Sequence, residues 1–272
     1  MQCFSANPKE MFASLWRHRD LIRASTRREI LGRYRGSALG LLWSLFNPIF
    51  MLVIYTFVFS VVFKARWSGG GESKTEFALV LFIGLIVFNI FSETINRAPG
   101  LIISNANYVK RVVFPLEILP FVSLLTALFH GAISLGVWLL AYLVIFGIPP
   151  GTIFYLPLIL LPFILFIMGL SWILSSLGVY LRDVGQFVGI LTMVLMFLSP
   201  IFYPITAVPE VFRGMLFMNP LTLVIEQVRS VLYFGVSPSY NLLAMHFVFS
   251  LAMSWLGFAW FQKTRKGFAD VL

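Results

Sequence analysis

The feature that most constrains this chain is a series of long apolar blocks almost free of acidic and basic residues. Ala38 to Phe63 is the first. At 1.5 Å per residue it can cross about 30 Å of hydrocarbon as a helix. Similar blocks run over 77–96, where Glu93 near the end is the one acidic residue, 121–146, 152–180, 184–199 and 240–262, with hydrophobic residues at 59% and charged residues at 11% of the chain. A soluble domain needs more polar surface than that, so the expected fold class is an all-α membrane protein with six transmembrane helices.

The connections carry the charge. Residues 1–37 hold eight basic residues, and Phe12, Leu15, Trp16 and Ile22 fall near one face at helical spacing. That pattern predicts an amphipathic helix lying flat at a membrane interface. No short apolar stretch with a small-residue cleavage site precedes the first block, so that span is expected to stay uncleaved. Asn47-Pro48 predicts a kink early in it. Lys64 to Glu76 reads as a surface loop, and Glu93 and Arg97 stand at the i,i+4 spacing of a helix-end ion pair. The 97–120 stretch is too charged to span and predicts one short interfacial helix between Pro99 and Pro115. The 200–238 segment mixes prolines with Glu210, Arg213, Glu226 and Arg229, which suits a pair of short re-entrant helices. This divides the chain into an interfacial segment, 1–37, and a membrane domain, 38–272.

Orientation follows from the basic residues. Fifteen lie in the N-terminal segment, the 97–111 loop, Arg182 and the C-terminal tail, against five in the other connections. The richer side faces the cytoplasm, so both termini point inward. The net charge of +9 therefore belongs to topology and lipid head groups, and nucleic-acid binding is not indicated.

Sites for chemistry are sparse. One cysteine, Cys3, rules out an intrachain disulfide. No Walker A loop and no HExxH motif occurs. His18, His130 and His246 are scattered, with no intramembrane carboxylate expected beside either of the last two. The reading is no metal, no enzyme, and no ion-coupled carrier. Aromatic residues are the positive signal. Trp43, Phe46, Phe50 and Phe57 share one face of the first span, while Tyr55, Phe59 and Phe63 share another. Phe187, Phe197, Phe202 and Tyr203 mark the fifth span and its exit. Such rings can stack on sugar faces or simply pack in the bilayer.

Three stretches carry a family resemblance: RREILGRYRGSALGLLWSLFNPIFMLVIYTFVFSVVF, YLRDVGQFVGILTMVLMFLSPIFYP and MNPLTLVIEQVRSVLYFG. Together they make the chain similar to the permease subunit of type-2 ABC exporters of cell-surface polysaccharide, the O-antigen, capsule and teichoic-acid group. The resemblance implies a homodimer in the bacterial inner membrane, bound to two copies of a separate cytoplasmic ATPase that carries ATP and magnesium, with no cofactor in this chain. It implies a coupling surface of Asn107, Tyr108, Lys110, Arg111 and Phe114, with the Arg182-Asp183 turn. Trp43, Tyr55, Phe59, Phe197, Phe202 and Tyr203 would line the pore, and 200–238 would gate its outer end. The substrate would be a glycan on undecaprenyl pyrophosphate, the O-antigen of lipopolysaccharide, with Arg28, Arg33 and Arg35 at the pyrophosphate or in membrane anchoring. A drug or lipid permease of the same type, and a membrane-embedded glycan-handling enzyme, remain alternatives.

Overall fold

The computed structural model describes residues 6–62, 74–111 and 114–272, and among these every regular element is helical. Phe63 and most of the 64–76 loop lie outside the described residues, as does the side chain of Arg111. Among the described residues, five helices are long and apolar enough to cross a membrane: Gly40–Phe59, Thr75–Ser104, Leu116–Phe146, Gly151–Tyr180 and Tyr240–Val271.

The N-terminal segment forms two helices, α1 (Pro8–Arg17) and α2 (Arg19–Arg33), broken at His18. Asn7 caps α1 through its side chain, which accepts from the Lys9 amide, and Pro8 occupies the first turn, where its missing N–H costs nothing. Phe12, Leu15, Trp16 and Ile22 do gather. With Phe121 and Leu125 they line a shallow apolar groove of about 660 Å³. Its neighbours Met11 and Ser14 point inward and are buried.

The first span is α3 (Trp43–Tyr55), which passes into a π-helical stretch, Thr56–Val62. Pro48 sits inside α3, which continues through it, and a second irregularity, the change to a π-helix, begins eight residues further on at Thr56. Thr56 Oγ1 donates to the Leu52 carbonyl (2.6 Å) where the ladder changes step. A hydroxyl competing for that carbonyl favours the wider turn.

At the centre is α4 (Lys74–Arg97): 83% of its most apolar window is buried, against 11% for the first span. It contacts α3, α7, α8, α9 and α11, whose ranges follow. Two short helices come next, α5 (Leu101–Ser104) and α6 (Ala106–Arg111), in place of the single interfacial helix expected there. Asn105 ends α5 by donating from its amide to the Leu101 carbonyl (2.8 Å). Then come α7 (Leu119–Phe146) and α8 (Leu156–Tyr180), joined by a turn in which Gly147 takes φ 86°. Pro120 and Pro157 stand in the first turns of these helices.

The apolar helix α9 (Val184–Leu198) is only 15 residues long. It leads to α10 (Glu210–Met218) and α11 (Pro220–Leu232), then to α12 (Tyr240–Thr264) and the terminal turn α13 (Phe268–Val271). The most extensive seam joins α8 and α12. A Cβ on Gly169 would lie 2.4 Å from the Met253 carbonyl oxygen, and one on Gly257 would lie 2.2 Å from that of Gly169. Without side chains there, the backbones reach contact, which is how helices gain dispersion energy where lipid removes the hydrophobic drive.

Candidate functional site

Asn89, Ser92, Glu93, Asn96 and Arg97 follow i, i+3, i+4, i+7, i+8 spacing on α4. They form a polar stripe two turns long on an otherwise buried, apolar helix. A polar face inside a span must look onto water or protein. Here it borders a cavity of about 940 Å³ between α2, α3, α4 and α7, with Asn47, Tyr55 and Ser134 on other walls.

Four side chains meet at its edge. Glu93 pairs with Arg33 and lies 3.1 Å from His130 Nδ1. The Tyr34 hydroxyl is 3.3 Å from His130 Nε2. An ionised Glu93 can only accept, so Nδ1–H of His130 donates to it, the Arg33 guanidinium donates to the same carboxylate, and the tautomer sets which partner donates between Tyr34 and Nε2. Burial pushes the Tyr34 phenol above its ordinary value; Arg33 pulls against this and Glu93 adds to it. It stays a neutral hydroxyl. The geometry revises two expectations. Glu93 does not pair with Arg97, which reaches Glu29 of α2 instead (2.5 Å). His130 does have a carboxylate beside it. His246, by contrast, is buried on α12, and among the described residues neither ring nitrogen has a hydrogen-bond partner.

The aromatic residues assemble elsewhere. Phe59 stacks on Phe77 and on Phe202, each at 5.7 Å, and touches Tyr55 at 6.3 Å. Phe197 meets Phe202 at 6.0 Å, and the Tyr203 hydroxyl donates to the Phe197 carbonyl (2.9 Å). These contacts link Tyr55, Phe59, Phe197, Phe202 and Tyr203 into one cluster joining α3 to the exit of α9. Trp43 stands twelve residues before Tyr55, at the other end of α3, and its side chain is 44% exposed.

The 106–114 region is tied to α2. Tyr108 and Phe114 stack at 4.4 Å with planes 9° apart, and Arg28 donates to the Tyr108 hydroxyl (2.9 Å). Asn107 is exposed, and Lys110, also exposed, donates to the Leu272 carbonyl. Arg182 and Asp183 are exposed in the turn after α8. Since α13 packs against both α6 and α8, it stands between the two parts of the expected coupling surface. Of the three arginines matched to pyrophosphate, Arg28 engages Tyr108, Arg33 engages Glu93, and Arg35 lies exposed beyond α2.

Two buried charge sites escaped the reading of the sequence. Arg229 of α11 is fully buried and donates to the carbonyls of Val80 (3.0 Å), Pro200 and Ile201 (2.9 Å), and to Glu226 (2.9 Å). Gly84 makes room: a Cβ there would sit 2.9 Å from the guanidinium. Glu117 accepts from Ser14 (2.8 Å) and Arg265 (2.6 Å), and Arg265 also donates to the Phe114 carbonyl (2.9 Å). That knot joins α1, the end of the 97–120 connection and the C-terminal segment.

A bundle of apolar helices of membrane-crossing length around a central helix, with a polar-edged cavity between them, fits a multi-pass membrane domain. Residues 20–233 match the family described as ABC-2 type transporter, and the chain belongs to it. It is 28% identical over 255 residues to the O-antigen export system permease protein RfbA of Klebsiella pneumoniae, covering 93% of this chain and 95% of that one. A Myxococcus xanthus protein of the same name is 26% identical over 258 residues, covering 94% and 96%. The polysialic acid transport protein KpsM of Escherichia coli is 28% identical over 243 residues, covering 88% and 91%.

Proposed function

We propose that this chain is the transmembrane subunit of an ATP-driven exporter that moves a lipid-linked cell-surface polysaccharide, of the O-antigen type, across the bacterial inner membrane. The carrying observation is the ring cluster from Tyr55 to Phe202 and Phe197 at the α9 exit, in a chain similar over nearly its whole length to O-antigen permeases. Stacked rings give sugar faces a sequence-tolerant track.

In this reading α9 is a sixth, short span, both termini are cytoplasmic, and α1 and α2 lie at the cytoplasmic interface. The α10–α11 pair re-enters the outer leaflet and closes the pore. Two copies of the chain pair through their first and fifth spans. Their exposed apolar residues, such as Phe50 and Phe57 on the first and Phe187 and Met193 on α9, need lipid or a second copy to cover them. The glycan's carrier is undecaprenyl pyrophosphate, for which Arg35 is the freest of the three arginines. ATP and magnesium belong to a separate cytoplasmic ATPase, present twice, and this chain takes no cofactor of its own.

Asn107, Tyr108, Lys110, Arg111 and Phe114, with Arg182 and Asp183, would take the push from that ATPase. Because Tyr108 and Phe114 stack under Arg28, movement of the loop would carry α2 with it. The test is purification of the chain with its co-expressed ATPase and measurement of glycan-dependent ATP hydrolysis. Charge reversal at Lys110 and Arg111 with alanine at Tyr108 and Phe114 is expected to leave the helices folded and remove glycan stimulation. Unchanged stimulation in that variant rejects the docking site; hydrolysis by the chain alone rejects the whole reading.

A further inference from the structure

The cavity beside α4 has no role in the account above, and its chemistry is specific. We infer that it binds the uncharged, hydroxyl-rich part of the transported molecule, a run of sugar residues, and does not hold its anionic anchor. The inference rests on the polysaccharide reading and names where that substrate first meets the span.

Charge balance is the first argument. Two guanidiniums border the cavity, and each is matched by a carboxylate: Arg33 by Glu93 and Arg97 by Glu29. A phosphate would have to displace a carboxylate from a partly buried pair, stripping it of its guanidinium at a cost. A hydroxyl requires no such exchange.

Donor and acceptor chemistry is the second. Asn47, Asn89 and Asn96 all line the cavity, and each amide offers two donors and an acceptor. Vicinal hydroxyls both donate and accept, so they suit such walls, whereas an oxyanion only accepts. Asn89 and Asn96 are exposed to this space although they sit on the most buried helix of the molecule. Asn96 is held in place by α9, whose Thr192 hydroxyl donates to its Oδ1 (2.9 Å).

Continuity is the third. Tyr55 lines the cavity and also touches Phe59, the first ring of the cluster leading to the α9 exit. A sugar in the cavity therefore lies against the start of the stacking track. The volume of about 940 Å³ is near the top of the range that small-molecule sites use, which suits several linked rings.

The experiment uses the full chain with its ATPase in nanodiscs of zwitterionic lipid. Asn89→Cys is placed in a Cys3→Ser background and treated with a glucosyl-bearing methanethiosulfonate or an anionic sulfonatoethyl one. Rates are normalised to the same reagents on free cysteine. The neutral sugar reagent is expected to react at least about tenfold faster than the anionic one, because an uncompensated anion is disfavoured there. Ser92→Cys, one turn away, is expected to show the same preference and guards against a local fault of the first variant. Adding Glu93→Gln strips Arg33 of its counter-charge and is expected to raise the anionic rate about tenfold. An anionic reagent as fast as the sugar reagent overturns the inference, as does failure of both reagents at both positions. If glycan-dependent hydrolysis persists in the same sample, that failure leaves the exporter reading standing. If the unmodified complex shows no glycan dependence, the exporter reading falls, and the sugar assignment with it.

Discussion

Arg229 shows what one residue can do inside an apolar bundle. Its fork of N–H groups serves three carbonyls at once, two of them just past α9, where the helix has run out of its own donors. Arginine stays charged when buried, and Glu226 supplies the counter-charge at 2.9 Å. Lysine cannot imitate the planar fork. Arg229→Met is expected to cost about 2–4 kcal/mol, since buried carbonyls and Glu226 lose their partner, and Arg229→Lys only somewhat less. Thermal unfolding of the detergent-solubilised protein reads this; unchanged midpoints in both variants would remove the anchor role. Gly84→Leu is expected to damage the same place by crowding the guanidinium.

At the scale of elements, α8 and α12 depend on absent side chains. Gly257→Ala puts a methyl 2.2 Å from the Gly169 carbonyl oxygen, a separation no real contact tolerates, so the helices must part. Overpacking of this kind costs about 1–3 kcal/mol, and the loss is expected in the unfolding midpoint. Ala132→Gly, on α7 and away from the seam, is a control and is expected to cost about 1 kcal/mol or less, by helix propensity alone. An equal effect from both would mean the seam has no special role.

For the whole molecule the informative contact is the Glu117–Arg265 pair, because Ser14, Phe114 and the C-terminal segment all converge on it. It couples the loop after α6 to the bundle. Breaking a nearly buried pair from one side leaves a lone charge, whereas removing both sides does not. Glu117→Gln and Arg265→Met are each expected to cost about 3 kcal/mol, and the double variant less than their sum. A double-mutant cycle on unfolding free energies checks this; strict additivity would show the charges act independently. Within the ATPase complex, the single variants are expected to weaken glycan stimulation of hydrolysis, since the loop loses its fixed seat.

Much of this was legible from residues alone, and the reason is the bilayer. Uncharged blocks of spanning length have few alternatives to helices, because every backbone N–H and C=O must be satisfied internally where water is absent. Element type, the approximate positions of the long helices and the ring-rich segments therefore follow from local pattern. The stripe from Asn89 to Arg97 was also readable as helical spacing, but spacing does not say what a face looks upon. Partner choice needed the tertiary structure. Glu93 and Arg97 fit an i,i+4 pair on paper, yet Arg33 and Glu29 from a helix sixty residues away claim them. The same holds for His130 beside Glu93, for Gly169 against Gly257, and for Arg229 reaching past Gly84. Such contacts depend on which helices lie side by side, and at short range a well-placed distant group outcompetes a flexible neighbour along the chain.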